Sequence, residues 1–168
     1  MSRKTVDPVD GVQLLRTLAL HNRHVEGGLL LIRQELERRG HNHDTSKLTP
    51  EEFAGFSRIN AAAREFPYGS PEYKAGLDAE RSVVDLHYSR NSHHPEHHEL
   101  RKMGWLDIVE MVADWRAAWI AYGSQGTWEE NLARQFMRYN EAFNDAQWWL
   151  VRQVAAFLVP DTDERSGR

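Results

Sequence analysis

A chain of 168 residues, 40% hydrophobic and 27% charged, is long enough for one hydrophobic core and short for two. Its net charge of -4 argues against nonspecific nucleic-acid binding, which needs a basic surface. No apolar run is long enough for a membrane span, the first residues lack the apolar stretch of a signal peptide, and there is no cysteine for a disulfide or a thiolate zinc site. The expectation is a single domain over residues 1–160, cytoplasmic, with a flexible tail at 161–168.

In chain order, Asp7-Pro8 is a good N-cap and first-turn pair. Leu15, Leu18, Val25, Leu29, Ile32 and Leu36 then recur at three- and four-residue spacing, which predicts an amphipathic helix with Gly27-Gly28 as a kink and Gly40 as its stop. Thr49-Pro50-Glu51-Glu52 has the form of a capping box and opens a second helix, to about residue 65. Pro67 to Glu72 reads as a turn and a new cap, starting a third helix to about residue 90. His93 to Lys102 is polar, a loop or a short helix. Trp105 to Tyr122 is strongly helical, Gly123 to Gly126 breaks the chain, and Thr127 to Glu130 is another capping box. The last helix is expected to run to about Val159, where Pro160 stops it. Trp148, Trp149 and Phe157 on it are read as core or interface packing. There is no alternating strand pattern and no internal repeat, so the fold class is all-α, five or six helices around one core.

Seven of the nine histidines fall between residues 41 and 98. His43-Asp44 stands between the first two helices, and neutral imidazole beside a carboxylate suits a divalent metal. Helical phase nominates further ligands. His21 lies three residues after Leu18 and four before Val25, on the apolar face of the first helix, with a buried histidine satisfied by a carbonyl as the plainer reading. Asp107, Glu110 and Asp114 share one face of a later helix, and Asp114 sits among Met111, Val112, Trp115 and Ala118. A carboxylate in such company is expected to be paired or to bind metal. Asp107 and Glu110 are read either as solvated or as orienting a histidine. His87, His93 and His94 form a second cluster, with His97 and His98 as bystanders. Lys47 and Arg90 add positive charge that suits a phosphate.

The order His21, His43-Asp44, Asp114 resembles the HD-domain superfamily, all-α metal-dependent phosphohydrolases named for their adjacent His-Asp. Lys47, three residues after Asp44, matches a lysine that faces the substrate phosphate in the HD-GYP branch. The Gly-Tyr-Pro motif of that branch is absent, which argues against a cyclic-dinucleotide phosphodiesterase. The chain is more similar to an HD-like family of phages and bacteria with HD-x-SK and Pro-Glu-Phe, then H-x-x-R-N-x-H-H, then E-M-x-x-D-W. Here these read His43-Asp44-Thr45-Ser46-Lys47 with Pro50 to Phe53, His87 to His94 around Arg90-Asn91, and Glu110 to Trp115. Together with His21 they span residues 21 to 115.

The resemblance implies an HD-like helical bundle and a metal-dependent phosphohydrolase acting on a small phosphorylated metabolite, foremost a nucleotide. His21, His43, Asp44, His87, His93, His94 and Asp114 would hold one or two ions. Mn²⁺, Fe²⁺, Co²⁺ and Zn²⁺ are favoured by so many histidines, with Mg²⁺ possible. Lys47 and Arg90 would neutralise the phosphate, and Glu110 would orient a histidine or act as general base. Two alternatives stand beside it: an HD-like di-iron oxygenase, and a non-catalytic nucleotide-binding phage factor. A homo-oligomer is possible, and a phage-encoded protein would act in the host cytoplasm.

Overall fold

Every element with a clear helical period in the sequence is a helix. The computed structural model describes residues 8–66, 70–122 and 126–159, and among them there are seven α-helices and no strand. They are α1 (Pro8–Asn42), α2 (Pro50–Glu65), α3 (Pro71–Ala79), α4 (Arg81–Arg90), α5 (Trp105–Ala121), α6 (Trp128–Tyr139) and α7 (Asp145–Phe157). Short 3₁₀ turns follow α1 at Thr45–Leu48 and α4 at Pro95–His97. No helix among the described residues is long and apolar enough to cross a membrane. Asp7, Pro67, Gly123, Pro160 and the tail from 161 lie outside the described residues.

Two boundaries differ from the sequence reading. The third predicted helix is two, α3 and α4, because Glu80 leaves helical geometry at φ -106° and ψ 24°. The last is also two, since Asn144 starts α7 with a capping box in which its side chain accepts from the Gln147 amide and Gln147 answers on the Asn144 amide. Thr127 and Glu130 form the expected box on α6. Thr49, by contrast, makes no side-chain cap. Its hydroxyl donates to the Ser46 carbonyl, and Glu52 has turned away into the interior.

The chain divides into two compact units, Met1–Asn42 and His43–Arg168. The first is α1, continuous through Gly27-Gly28, with i,i+3 and i,i+4 ion pairs of Arg33, Arg38 and Arg39 to Glu37 and Glu35 along its last turns. Leu15, Leu18, Val25, Leu29 and Ile32, the apolar stripe of the sequence reading, all lie on this one helix.

The second unit has its own core. Ile108, Met111, Val112, Trp115 and Trp119 of α5 pack with Trp128 of α6, Phe143, and Trp148, Val151 and Ala155 of α7. The Trp128 indole N–H donates to the Ala155 carbonyl at 3.2 Å, which satisfies a polar atom that burial would otherwise strand. Trp148 is in this core, and Trp149 and Phe157 lie outside it, exposed on the single chain. This core fixes α5, the helix that carries Glu110 and Asp114. On the other side α2 packs on α4 so closely that a Cβ on Gly55 would stand 2.8 Å from a Val83 methyl. That approach brings Glu52 of α2 against His87 of α4.

Candidate metal centre

His43 and Asp44 open the second unit, just before the first 3₁₀ turn. Asp44 adopts the left-handed conformation, φ 56° and ψ 13°, which aspartate tolerates better than most residues. Strained backbone of this kind persists where surrounding contacts hold it, and here they do. The Asp44 carboxylate accepts from the Lys47 ammonium, and its Oδ1 lies 3.1 Å from His87 Nε2 and 3.4 Å from His93 Nε2. Its other oxygen lies 3.7 Å from His43 Nε2. Asp114, from α5, places Oδ1 3.3 Å from the same His43 nitrogen.

The far side of each of three imidazoles is held by a carboxylate. Glu52, completely buried, accepts from His87 Nδ1 at 2.9 Å and also from the Ser46 hydroxyl and Arg90. Glu110 accepts from His43 Nδ1 at 3.0 Å, with His93 Nδ1 3.3 Å from the same oxygen. An ionised carboxylate only accepts, so this placement favours a proton on each Nδ1 and leaves each Nε2 facing inward. This is the arrangement by which carboxylates fix the tautomer of metal-binding histidines. His94 completes the set, its Nε2 3.0 Å from that of His87.

Two groups of ligand atoms result, Asp44 with His87, His93 and His94, and His43 with His93 and Asp114, each within 4.8 Å of one another. Asp44 Oδ1 and His93 Nε2 are buried without a well-formed hydrogen bond. Stranding two polar atoms side by side is costly unless a cation takes both. The nitrogen and oxygen donor set fits a divalent transition metal.

Hydrogen bonding to Asp114, then to Glu110, raises the His43 pKa to about 10 despite burial. Burial pulls His93 down, but Asp44 and Glu110 outweigh it and the net direction is up. Burial would raise Asp44, yet His87, His93 and Lys47 together hold it far below the usual carboxylate range. His94 is lowered to about 2 by burial and by the neighbouring His93 and His87, so it is neutral at ordinary pH.

The structure thus brings together His43, Asp44, His87, His93, His94 and Asp114, with Lys47 and Glu110 in contact. His21 lies on α1, in the first unit, and is in neither group among the described residues. Arg90 points to Glu52 at 3.1 Å and to Glu51 at 3.9 Å. Asp107 accepts from Ser92, while His97 and His98 bond backbone carbonyls of Tyr88 and Ser92 and so brace the loop rather than the centre. Glu52 is the residue that sequence reasoning missed, because its spacing from Thr49 explained it as a cap. The available signal was its place in the Pro50 to Phe53 motif.

Residues 12–158 match the model of a family of unknown function, DUF5662. The chain belongs to that family. The match begins within the first unit, ends within the second and includes every residue of the centre. No curated protein and no solved structure matches the chain.

Proposed function

We propose that this protein is a metal-dependent phosphohydrolase of the HD type that acts on a small phosphorylated metabolite, a nucleotide in the first instance. One observation carries the reading: ligand atoms of His43, Asp44, His87, His93, His94 and Asp114 converge while Glu52 and Glu110 hold the opposite nitrogens of three of the imidazoles. The resemblance of His43-Asp44 and Asp114 to the HD pattern supports it. A divalent ion bound there would supply Lewis acidity toward a phosphoryl oxygen and bring the pKa of water toward neutrality. The chain's own residues do the rest. Lys47, whose ammonium pairs with Asp44, would share it with a phosphate oxygen. Glu110 keeps His43 and His93 in one tautomer, and Arg90 locks Glu52 onto His87. The two ligand groups and the two oxygens of Asp44 suit a pair of ions.

That same two-ion geometry supports a second reading, a di-iron centre that activates O₂. The test is elemental analysis of purified protein together with a nucleotide-hydrolysis screen with Mn²⁺ or Co²⁺ under argon. Phosphate release without oxygen supports the hydrolase. Oxygen consumption with an iron-dependent absorption band and no phosphate release overturns it in favour of the oxygenase. Metal and tight nucleotide binding with neither activity overturns both.

A further inference from the structure

A cavity of about 110 Å³ adjoins the centre, with His94 and Asp114 on its lining. It is much smaller than the roughly 300 Å³ at which pockets begin to enclose whole drug-sized ligands, so it has room for one small ring. Trp115 and Tyr139, stacked with their planes 6° apart, contribute flat aromatic surface to it. Arg138, the cation on its lining, is paired with Glu96, which also accepts from the Tyr139 hydroxyl. Arg138 and Tyr139 belong to α6, which also contributes Asn131 and Gln135 to the lining. There Asn131 is 5% exposed and its side-chain oxygen is buried with no hydrogen-bond partner. Gln135, one turn further on and therefore on the same face, lines the same cavity.

A buried amide oxygen without a partner is expensive to keep, and natural proteins satisfy such atoms with a donor from elsewhere. The ligand group wanted here donates a hydrogen bond and carries no negative charge, because Asn131 offers an acceptor and Arg138, the cation on the lining, is already paired. It must also lie one short link from the metal ligands, since His94 and Asp114 form part of the same wall. In a phosphate monoester the group one link from phosphorus is the alcohol that leaves. We propose that this cavity receives the hydroxylated ring of that alcohol, the sugar of a nucleotide or of a sugar phosphate, and that Asn131 accepts a hydrogen bond from one of its hydroxyls. Trp115 and Tyr139, which stack on each other with Arg138 over the Tyr139 ring, form a rigid apolar flank beside the bound ring, and Gln135 offers a second polar contact. The identity of the ring rests on the phosphohydrolase reading, whereas the binding itself does not.

The experiment measures tryptophan fluorescence of the full chain, loaded with Mn²⁺ or Zn²⁺, titrated with ribose 5-phosphate, a ribonucleoside 5′-monophosphate, its 2′-deoxy counterpart and phenyl phosphate. The wild type should bind the hydroxylated phosphates more tightly than phenyl phosphate. Asn131→Leu should weaken the hydroxylated ligands about 10- to 100-fold, the range expected when a buried polar contact loses its partner, and leave phenyl phosphate within about twofold. Gln135→Ala, at a half-buried position, serves as the second variant should Asn131→Leu lose its helical circular dichroism, and a selective loss of at least threefold is expected. Ribose 5-phosphate binding as tightly as the nucleotide assigns the cavity to the sugar alone. A selective loss confined to nucleotides places the base there and overturns the proposal. So does an equal loss on all ligands from a folded variant, or no binding of any hydroxylated phosphate by the wild type. Selective binding without phosphate release leaves the cavity assigned and removes the hydrolase reading.

Discussion

Glu52 and His87 are bonded at 2.9 Å with both side chains closed to solvent, although they are 35 residues apart on different helices. The pair fixes which nitrogen of His87 is free to bind a metal. It also ties the centre to the packing of α2 on α4, and the expectations below test both ends of that link.

Glu52→Gln keeps the shape of the side chain and replaces a full carboxylate by a neutral amide. The His87 imidazole loses its charge-assisted acceptor, and metal affinity should fall about 10- to 100-fold, the usual effect of removing a carboxylate behind a ligating histidine. Competition against a chromogenic chelator measures this directly. Unchanged affinity would show that Glu52 only fills space. Glu52→Ala should in addition destabilise the fold by about 1–3 kcal/mol, because buried donors on Ser46 and His87 lose their partner.

Asp44→Asn tests ligation apart from backbone strain, since asparagine also tolerates the left-handed conformation that Asp44 adopts. Bound metal and phosphate release should both be lost, with far-ultraviolet circular dichroism unchanged. His43→Ala should behave in the same way. Undiminished metal content and hydrolysis in both variants would remove the centre from the account.

Metal binding should release protons. His43 and His93 are both raised, so in the metal-free protein their inward nitrogens hold protons that a metal must displace. Affinity should therefore rise with pH between about 6 and 8, and metal added to weakly buffered protein should acidify the solution. The stability of the metal-free protein follows from the same shifts. The raised His43 contributes fully below about 6.5, its unfolded value, and that contribution is lost as pH rises through about 10. The depressed His94 has the opposite sign. Its unfolded form takes up a proton below about 6.5 that the folded form refuses, so stability is lost as pH falls from 6.5 toward 2. Thermal melts of metal-free protein should peak near pH 6 to 7; a continued rise from pH 7 to 9 would contradict the His43 assignment, and a fall from pH 5 to 7 the His94 one.

Gly55→Ala touches no ligand, yet its new Cβ would stand 2.8 to 3.0 Å from the Val83 side chain. Overpacking of this kind costs about 1–3 kcal/mol and forces helices apart. Here it should lengthen the Glu52 to His87 contact, so metal affinity should fall together with the melting temperature. A variant that is destabilised but binds metal as tightly as the wild type would show that the α2–α4 spacing does not govern the centre.

The distribution of the core is open to a simple comparison. Met111, at 1% exposure on α5, should lose about 2–5 kcal/mol on replacement by alanine. Met137, at 78% exposure on α6, should change by no more than about 0.5 kcal/mol. Urea titration separates the two, and equal effects would place the core elsewhere.

Much of this molecule is written in its sequence. The periodicity of Trp105 to Tyr122, the cap at Thr127 and the His43-Asp44 pair each depend on residues within a few positions of one another, and local rules read them correctly. The identity of six converging side chains was also legible, because imidazoles and a carboxylate in apolar company are conspicuous as residue types. What local rules assign wrongly is the partner. Thr49 and Glu52 have the spacing of a capping box. In the fold Glu52 turns inward to His87 and Arg90 follows it. The unpartnered oxygen of Asn131 is likewise invisible until α6 is set beside His94 and Asp114 in one cavity. The sequence by itself determined which groups are able to bind a metal, since that is a property of side-chain chemistry. Only the tertiary structure decided which nitrogen each histidine presents, because that choice belongs to a carboxylate delivered by a distant helix, at a spacing that the absent side chain of Gly55 permits.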